Sequence, residues 1–237
     1  RNSSRGSRMR SSRSRSSGGG GLSLFGSSKN KKKEASTSPR KISQLFERYE
    51  DQEENPGTIG MEGISRLGED IGIDPAADVR ILVFLWKIGA NENPGQVQRE
   101  EFSNGLTELG IDTIEGIRSL LPQLDPNFME HSTFREFYKF VFQFSREGTK
   151  RTIEKDIVAA LLPMVVENRS PHLAKFVEFL EQLPENTRVT LDQWNSFLEF
   201  SQQVPLSLEG FDADGAWPTL LDEYVEWLQG QQSESKK

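Results

Sequence analysis

FDADGAWPTLLDEYVEWL, residues 211–228, is the stretch from which we infer the fold. It opens with a short polar turn and places Pro218 where the first turn of a helix accepts proline. Its apolar side chains then recur at helical spacing, at Trp217, Leu220, Leu221, Tyr224, Val225 and Leu228. Asp222, Glu223 and Glu226 fall on the opposite side. The stretch predicts a helix that buries its apolar face and exposes its acidic face. The acidic face is either simply solvated or a surface for a partner.

The same helical spacing continues through most of the chain, and no convincing alternation of apolar and polar residues predicts a strand. Helices are predicted at about 42–49, 60–71, 98–109, 113–121, 132–146 and 153–166, with others starting at Asp74-Pro75 and Ser170-Pro171. Thr190 and Gln193 form a capping box for a helix that ends near Gln202. About ten short helices with short connections indicate a compact all-α bundle of two halves that meet near residue 150.

Charge divides the chain into two parts. Residues 1–41 hold 12 Lys or Arg and one acid (+11), and residues 42–237 hold 17 bases and 35 acids (−18), which together give the net charge of −7. We expect a disordered basic leader at 1–40, rich in Arg, Ser, Gly and Lys, one domain at 41–230 with halves 41–150 and 151–230, and a disordered tail at 231–237. The acidic body favours basic protein surfaces over nucleic acid as partners.

The basic leader suggests nuclear import. The import patch would consist of Lys29, Lys31, Lys32, Lys33, Arg40 and Lys41. This predicts a protein of the nucleus and cytoplasm, with the nucleus favoured. A solubilising leader, an organelle transit peptide and a tail that binds RNA or DNA are the alternatives.

Composition argues against several classes of function. The chain has no Cys, which excludes disulfides and cysteine nucleophiles, and His131 and His172 are its only histidines. It has no phosphate-binding glycine loop and no apolar run of the roughly 20 residues that a membrane span needs. No set of nucleophile, base and orienting group can be assembled. We expect a soluble intracellular protein with no catalytic residues, no cofactor and no membrane contact.

One stretch is similar to a calcium-binding EF-hand loop. Counted from Ala90, Gly95 falls at position 6, Val97 at position 8 and Glu101 at position 12. Ala90 at position 1 and Pro94 at position 5 lack the side-chain oxygens that calcium requires. Weaker partial matches are Asp125 with Asn127 and Glu136, and Asp212 with Asp214 and Glu223. We predict EF-hand-like helix-loop-helix units that have lost their calcium ligands, with no metal site; a calcium sensor is the alternative.

Five separated motifs resemble the potentiating-neddylation domain of the defective-in-cullin-neddylation family. They read IGMEGISRLGEDIGIDP (59–75), FLWKIGA (84–90), LTELGIDTIEGI (106–117), LDQWNSFLEFS (191–201) and GAWPTLLDEYVEW (215–227). The resemblance covers about residues 41–228, and the basic leader is similar to that of the family's nuclear members. The loop at 51–58 and the segment before Trp86 are each a residue longer than is usual. An all-helical fold with EF-hand-like halves that need no calcium is implied.

The resemblance also implies a function. It is that of a monomeric, scaffold-type accessory ligase, which promotes transfer of a ubiquitin-like modifier from its conjugating enzyme to a lysine of a cullin bound to a RING subunit. The competing hypothesis is a helical module that binds cullins only to retain or restrain them.

Two sites follow from the same resemblance. A patch for the C-terminal winged-helix region of a cullin is implied at Asp192, Ala216 and Asp222, where two carboxylates around a small residue suit a basic surface. An apolar pocket for the N-acetylated end of the conjugating enzyme is implied, since acetylation removes the terminal charge. Its lining would be Met61, Ile64, Ile81, Phe84, Leu85, Ile88, Val97, Phe144, Leu161 and Met164.

Overall fold

The computed structural model describes residues 37–212 and 215–234, and most of these residues lie in ten α-helices. The helices are α1 (Pro39–Tyr49), α2 (Met61–Ile71), α3 (Arg80–Lys87), α4 (Arg99–Leu109), α5 (Ile114–Leu120), α6 (His131–Phe144), α7 (Lys155–Val166), α8 (Leu173–Gln182), α9 (Leu191–Gln203) and α10 (Thr219–Glu234). The predicted bundle of about ten helices is confirmed. None of these described helices is long and apolar enough to cross a bilayer.

Four short strands were not predicted. β1 (Thr58–Ile59) pairs antiparallel with β2 (Val97–Gln98), and β3 (Thr152–Glu154) pairs antiparallel with β4 (Arg188–Thr190). The expectation that the chain has no strand is therefore wrong in detail. Strands of two or three residues are too short to display the alternation by which a strand is recognised in a sequence.

Each small sheet joins two helix–strand–helix units. The first sheet links α1-β1-α2 to α3-β2-α4, and the second links α6-β3-α7 to α8-β4-α9. Val97, at position 8 of the EF-hand-like loop, lies in the first sheet opposite Ile59. This pairing was not anticipated from the sequence, and the EF-hand-like interpretation stays a prediction.

The third helix begins later than predicted. Asp74 and Pro75 instead belong to a separate turn, in which the Asp78 amide donates to the Asp74 carbonyl (2.8 Å). The Asp78 carboxylate then accepts from the Arg80 amide (3.0 Å), beside the start of α3. The helix therefore starts at Arg80 because Asp78, not Asp74, supplies the acceptor for its first amide groups.

Several observed boundaries differ from the expected ones. The chain divides into two units, Arg1–Glu34 and Ala35–Lys237, and every described residue belongs to the second. α1 begins at Pro39, inside the expected leader, and α10 continues to Glu234, beyond the expected domain end at 230. The lysines of the import patch at 29–33 lie outside the described residues, as do residues 235–237 of the tail. Arg40 and Lys41 are exposed on α1.

The expected halves share one continuous apolar core. Tyr138 of α6 stacks on Trp194 of α9, with ring centroids 4.4 Å apart, and both side chains are 1% exposed. The Tyr138 hydroxyl donates to the Trp194 carbonyl (3.0 Å), and the Trp194 indole N–H donates to the Tyr138 carbonyl (2.9 Å). Because α6 is the last helix of the expected first half, this reciprocal pair joins the halves and fixes α9 in place.

Candidate functional site

Asp192 lies in the first turn of α9, which is capped as predicted. Thr190 accepts from the Gln193 amide at its hydroxyl (3.2 Å), and the Gln193 side-chain carbonyl accepts from the Thr190 amide (2.8 Å). The Asp192 side chain is exposed, and it makes no hydrogen bond or ion pair with any residue that the structure describes. A carboxylate in the first turn of a helix interacts favourably with the helix dipole.

Ala216 lies in the turn that leads into α10. The Gly215 amide donates to the Asp212 carbonyl (3.1 Å), and the Trp217 amide donates to the Gly215 carbonyl (2.9 Å). A Cβ at position 215 would lie 2.9 Å from the Asp212 carbonyl oxygen, so this turn needs glycine. The Trp217 ring meets Phe200 of α9 edge-on, 5.5 Å between centroids. The turn is thus held against α9, with Ala216 exposed on top.

Asp222 follows in the first turn of α10 and is partly buried. The apolar face predicted for this stretch is confirmed, because Leu220, Leu221, Tyr224, Val225 and Leu228 are each at most 5% exposed. Trp217 is only half-buried and precedes the helix rather than belonging to it. Tyr224, two residues after Asp222, anchors this turn in the core.

Tyr224 is anchored by a histidine whose role the sequence did not reveal. The Nδ1 atom of His172 lies 2.9 Å from the Tyr224 hydroxyl and its Nε2 atom 2.8 Å from the Val204 carbonyl. His172 is fully buried, and burial lowers its pKa below the ordinary value, against a smaller raising effect of the bond to Val204. The neutral ring therefore ties the start of α8 to α10 and to the end of α9.

Asp192 and Ala216 lie toward opposite ends of α9. The turn that carries Ala216 contacts α9 at Phe200, eight residues after Asp192. Eight helical residues span roughly 12 Å along a helix axis. Of the residues implied for cullin binding, Asp192 lies on α9, Ala216 in the turn packed against α9 and Asp222 on α10; that they form one surface stays a prediction. We call Asp192, Ala216 and Asp222 the acidic patch.

A groove that the sequence did not indicate runs beside Asp192. It has a volume of about 330 Å³ and lies between α6 and α9. Its lining consists of Arg135, Glu136, Tyr138, Lys139, Asp192, Asn195, Ser196, Leu198 and Glu199. Arg135 is paired with Glu199 across one part of the groove. The sequence alone does not predict this groove, because its two walls, α6 and α9, are far apart in the chain.

The ten residues implied for the apolar pocket do not form an open cavity together. Seven of them are at most 4% exposed and belong to the packed core: Ile64, Ile81, Phe84, Leu85, Ile88, Val97 and Phe144. Leu161 and Met164, on α7, are partly buried, whereas Met61 at the start of α2 is 64% exposed. A ligand among these residues would have to displace packed side chains, and the assignment stays a prediction.

Met61 borders a polar cavity of about 840 Å³ instead. The cavity is bounded by the end of α1, the following loop, the start of α2 and the loops near Gly95 and Gly148. Its lining includes carboxylates such as Glu50, Asp51 and Glu62, and none of the other nine residues implied for the pocket. The Gly95 amide donates to the Phe144 carbonyl (2.8 Å), which brings the Gly95 loop to the end of α6.

Glu101, at position 12 of the EF-hand-like loop, is turned toward backbone amides. One carboxylate oxygen accepts from the amides of Asn91 (2.6 Å) and Glu92 (2.8 Å), and the other accepts from Gln98 (2.8 Å). Among residues 37–212 and 215–234, no group of three or more Asp, Glu or His side chains is arranged to hold a metal. Asp214, in another of the weak matches, lies outside the described residues.

Comparisons with known proteins extend over most of the chain. Residues 116–227 match the family model described as Cullin binding, a span that includes the whole acidic patch. DCN1-like protein 4 from Homo sapiens is 33% identical over 208 residues, which are 88% of this chain and 69% of that protein. DCN1-like protein 5 from Rattus norvegicus is 34% identical over 71% of this chain and 70% of its own. DCN1-like protein 3 from Xenopus laevis is 35% identical over 84% of this chain and 66% of its own.

Proposed function

The chain belongs to the DCN1-like family of cullin neddylation, and from this premise we propose that it acts as a scaffold-type accessory ligase. In this role it binds a cullin and the neddylation conjugating enzyme at the same time. It thereby promotes transfer of the ubiquitin-like modifier to a cullin lysine. The observation that carries the proposal is the position of the acidic patch inside the matched region, with Asp192 and Asp222 on two helices that pack into the core.

The cullin contact follows from charge and shape. Asp192 is exposed and unpaired among the described residues, and Asp222 lies on a helix whose inner face is buried. The exposed Ala216 adds almost no bulk, so a partner backbone can approach closely. Residues 42–237 carry a charge of −18, which would accelerate encounter with a basic surface. We assign this surface to the C-terminal winged-helix region of the cullin.

The conjugating enzyme is proposed to bind the first half. Its N-acetylated end would enter among the apolar side chains around Ile64, Ile81 and Phe84, where an uncharged end can be buried at low cost. Because these side chains are packed in the present conformation, binding requires them to move apart. The exposed Met61 marks where such an opening would meet solvent.

Catalysis in this proposal comes from proximity. The reactive thioester belongs to the conjugating enzyme and the attacking amine to the cullin, so this chain needs no acid, base or nucleophile. Holding both partners converts a bimolecular encounter into a step that is effectively unimolecular. The RING subunit of the cullin complex would share in positioning the conjugating enzyme. The chain itself would work as a monomer.

The experiment that tests this role is single-turnover transfer of the modifier from preloaded conjugating enzyme to a cullin–RING complex. A scaffold raises the transfer rate when the chain is added at concentrations that do not saturate its partners. A module that only retains or restrains cullins leaves the rate unchanged or lowers it while still binding the cullin. Parallel binding measurements therefore separate the two functions.

We propose a nuclear and cytoplasmic location with the nucleus favoured, on the basis of the leader's charge. Replacing Lys31, Lys32 and Lys33 with Ala in a fluorescent fusion should move the protein toward the cytoplasm. An unchanged distribution would contradict the import patch.

A further inference from the structure

The groove between α6 and α9 carries an inference about how the partner of the acidic patch is selected. Arg135 is paired with Glu199, whereas Tyr138 stacks on Trp194, so the two helices run antiparallel. In this register Lys139 lies opposite the first turns of α9. Asp192 and Asn195, which line the same groove, belong to those turns.

Some of the charged side chains along the groove have partners within the described residues, and others do not. Arg135 is paired with Glu199 through one guanidinium nitrogen. Lys139 is exposed and has no hydrogen bond or ion pair among the described residues; the side chains of Asp192 and Asn195 are equally unengaged there. Of the cations that line the groove, only Lys139 is therefore free within the described part of the chain.

The floor of the groove is rigid. Tyr138 and Leu198 line it and are 1% and 2% exposed, respectively. The reciprocal hydrogen bonds between Tyr138 and Trp194 fix both walls relative to each other. A groove whose walls are already fixed loses little conformational entropy when a partner binds.

We propose that this groove extends the acidic patch and that Lys139 determines specificity by pairing with a carboxylate of the cullin. The cullin segment that fits presents a basic group to Asp192 and an acidic group to Lys139. A cation next to an acidic patch rejects a uniformly basic segment, because like charges repel, and it fixes the register of one with both signs. The inference rests on the proposed cullin contact at Asp192.

The test measures the affinity of the full chain for a cullin C-terminal fragment by calorimetry at low and physiological salt. Lys139→Glu should weaken binding about fivefold, within the range of charge pairs at an interface rim. The matched control is Arg151→Glu, which makes the same change in net charge at an exposed position outside the groove that has no partner among the described residues. This control should change the affinity less than twofold. Equal effects of the two variants, or tighter binding by Lys139→Glu, would overturn the inference.

Exchanging the charges at positions 139 and 192 separates the effect of their order from the effect of net charge. The double variant Asp192→Lys with Lys139→Asp keeps the net charge and inverts the order of the two groups. It should bind at least about tenfold more weakly than the parent. Parental affinity would show that only net charge matters and would overturn the proposal for Lys139. Loss of affinity in Lys139→Glu without loss in Asp192→Lys would instead refute the cullin contact at Asp192, so the two proposals fail separately.

Discussion

His172 and Tyr224 meet in the core, with the histidine Nδ1 atom 2.9 Å from the tyrosine hydroxyl. The Val204 carbonyl can only accept, so Nε2 carries the proton, and Nδ1 accepts from Tyr224. Because Tyr224 lies two residues after Asp222 on α10, this contact helps to hold the helix that carries Asp222.

We predict that His172 makes the stability of the domain depend on pH. Burial lowers the histidine pKa in the folded state, so the unfolded state binds more protons as pH falls below about 6.5. The stabilising contribution is therefore present above that pH and is lost as pH falls through it. His172→Gln cannot titrate and should be less stable than the parent at pH 7.5. In urea unfolding, the difference in unfolding free energy between the parent and His172→Gln should be smaller at pH 5.5 than at pH 7.5. A difference that stays constant or widens would contradict the prediction.

Tyr138 and Trp194 should be energetically coupled. Tyr138→Phe removes one buried hydrogen bond and should cost about 1 kcal/mol of unfolding free energy. Trp194→Phe removes the other and leaves a cavity, at a cost of about 2–4 kcal/mol. The double variant should lose less than the sum, because each residue supports the other. Additive losses in chemical denaturation would show that the two bonds act independently.

Glu101 should stabilise its loop without calcium. Its carboxylate accepts from three backbone amides, so Glu101→Gln should lower the unfolding free energy by about 1–3 kcal/mol. Millimolar calcium should leave the melting temperature of the parent unchanged, because the carboxylate is already engaged. A rise in melting temperature that is specific to calcium over magnesium would revive the calcium-sensor hypothesis.

Arg169 should hold the Pro126–Phe128 turn. Its guanidinium donates to the carbonyls of Pro126 (2.7 Å), Asn127 (3.2 Å) and Met129 (2.8 Å) and lies over the Phe134 ring. All three carbonyls accept from the one terminal nitrogen Nη2, so Arg169→Met removes every one of these donors and should cost about 1–3 kcal/mol of unfolding free energy. The control is Phe128→Ser on the same turn, whose side chain is 82% exposed and should cost less than about 0.5 kcal/mol. Similar losses in both variants would contradict this role for Arg169.

The strength of the sequence prediction depended on how far apart the deciding residues lie. The capping box at Thr190 and Gln193 and the apolar face of α10 involve neighbours in sequence and are confirmed. The four strands were missed because their pairing joins residues about 40 apart, such as Ile59 and Val97. The role of His172 and the groove at Lys139 arise from helix packing, which no local pattern encodes.

The acidic patch and the apolar pocket differ in the same way in how far the sequence predicts them. Asp192 follows the predicted capping residue Thr190 by two positions, and the structure places it exposed in the first turn of α9. The pocket residues share apolar character with every other core residue, so their periodicity cannot distinguish a binding wall from packing. Their burial in the structure leaves that distinction to experiment.

The most direct test of the central claim is reconstituted, single-turnover cullin modification with Asp192→Lys and Asp222→Lys. The matched control is Glu69→Lys, a similar charge reversal at an exposed position on α2 with no side-chain partner among the described residues. The account predicts that either patch variant loses at least about tenfold of the stimulation, or about 1.4 kcal/mol, while the control retains it. Full stimulation by both patch variants would contradict the assignment of the cullin contact to the acidic patch.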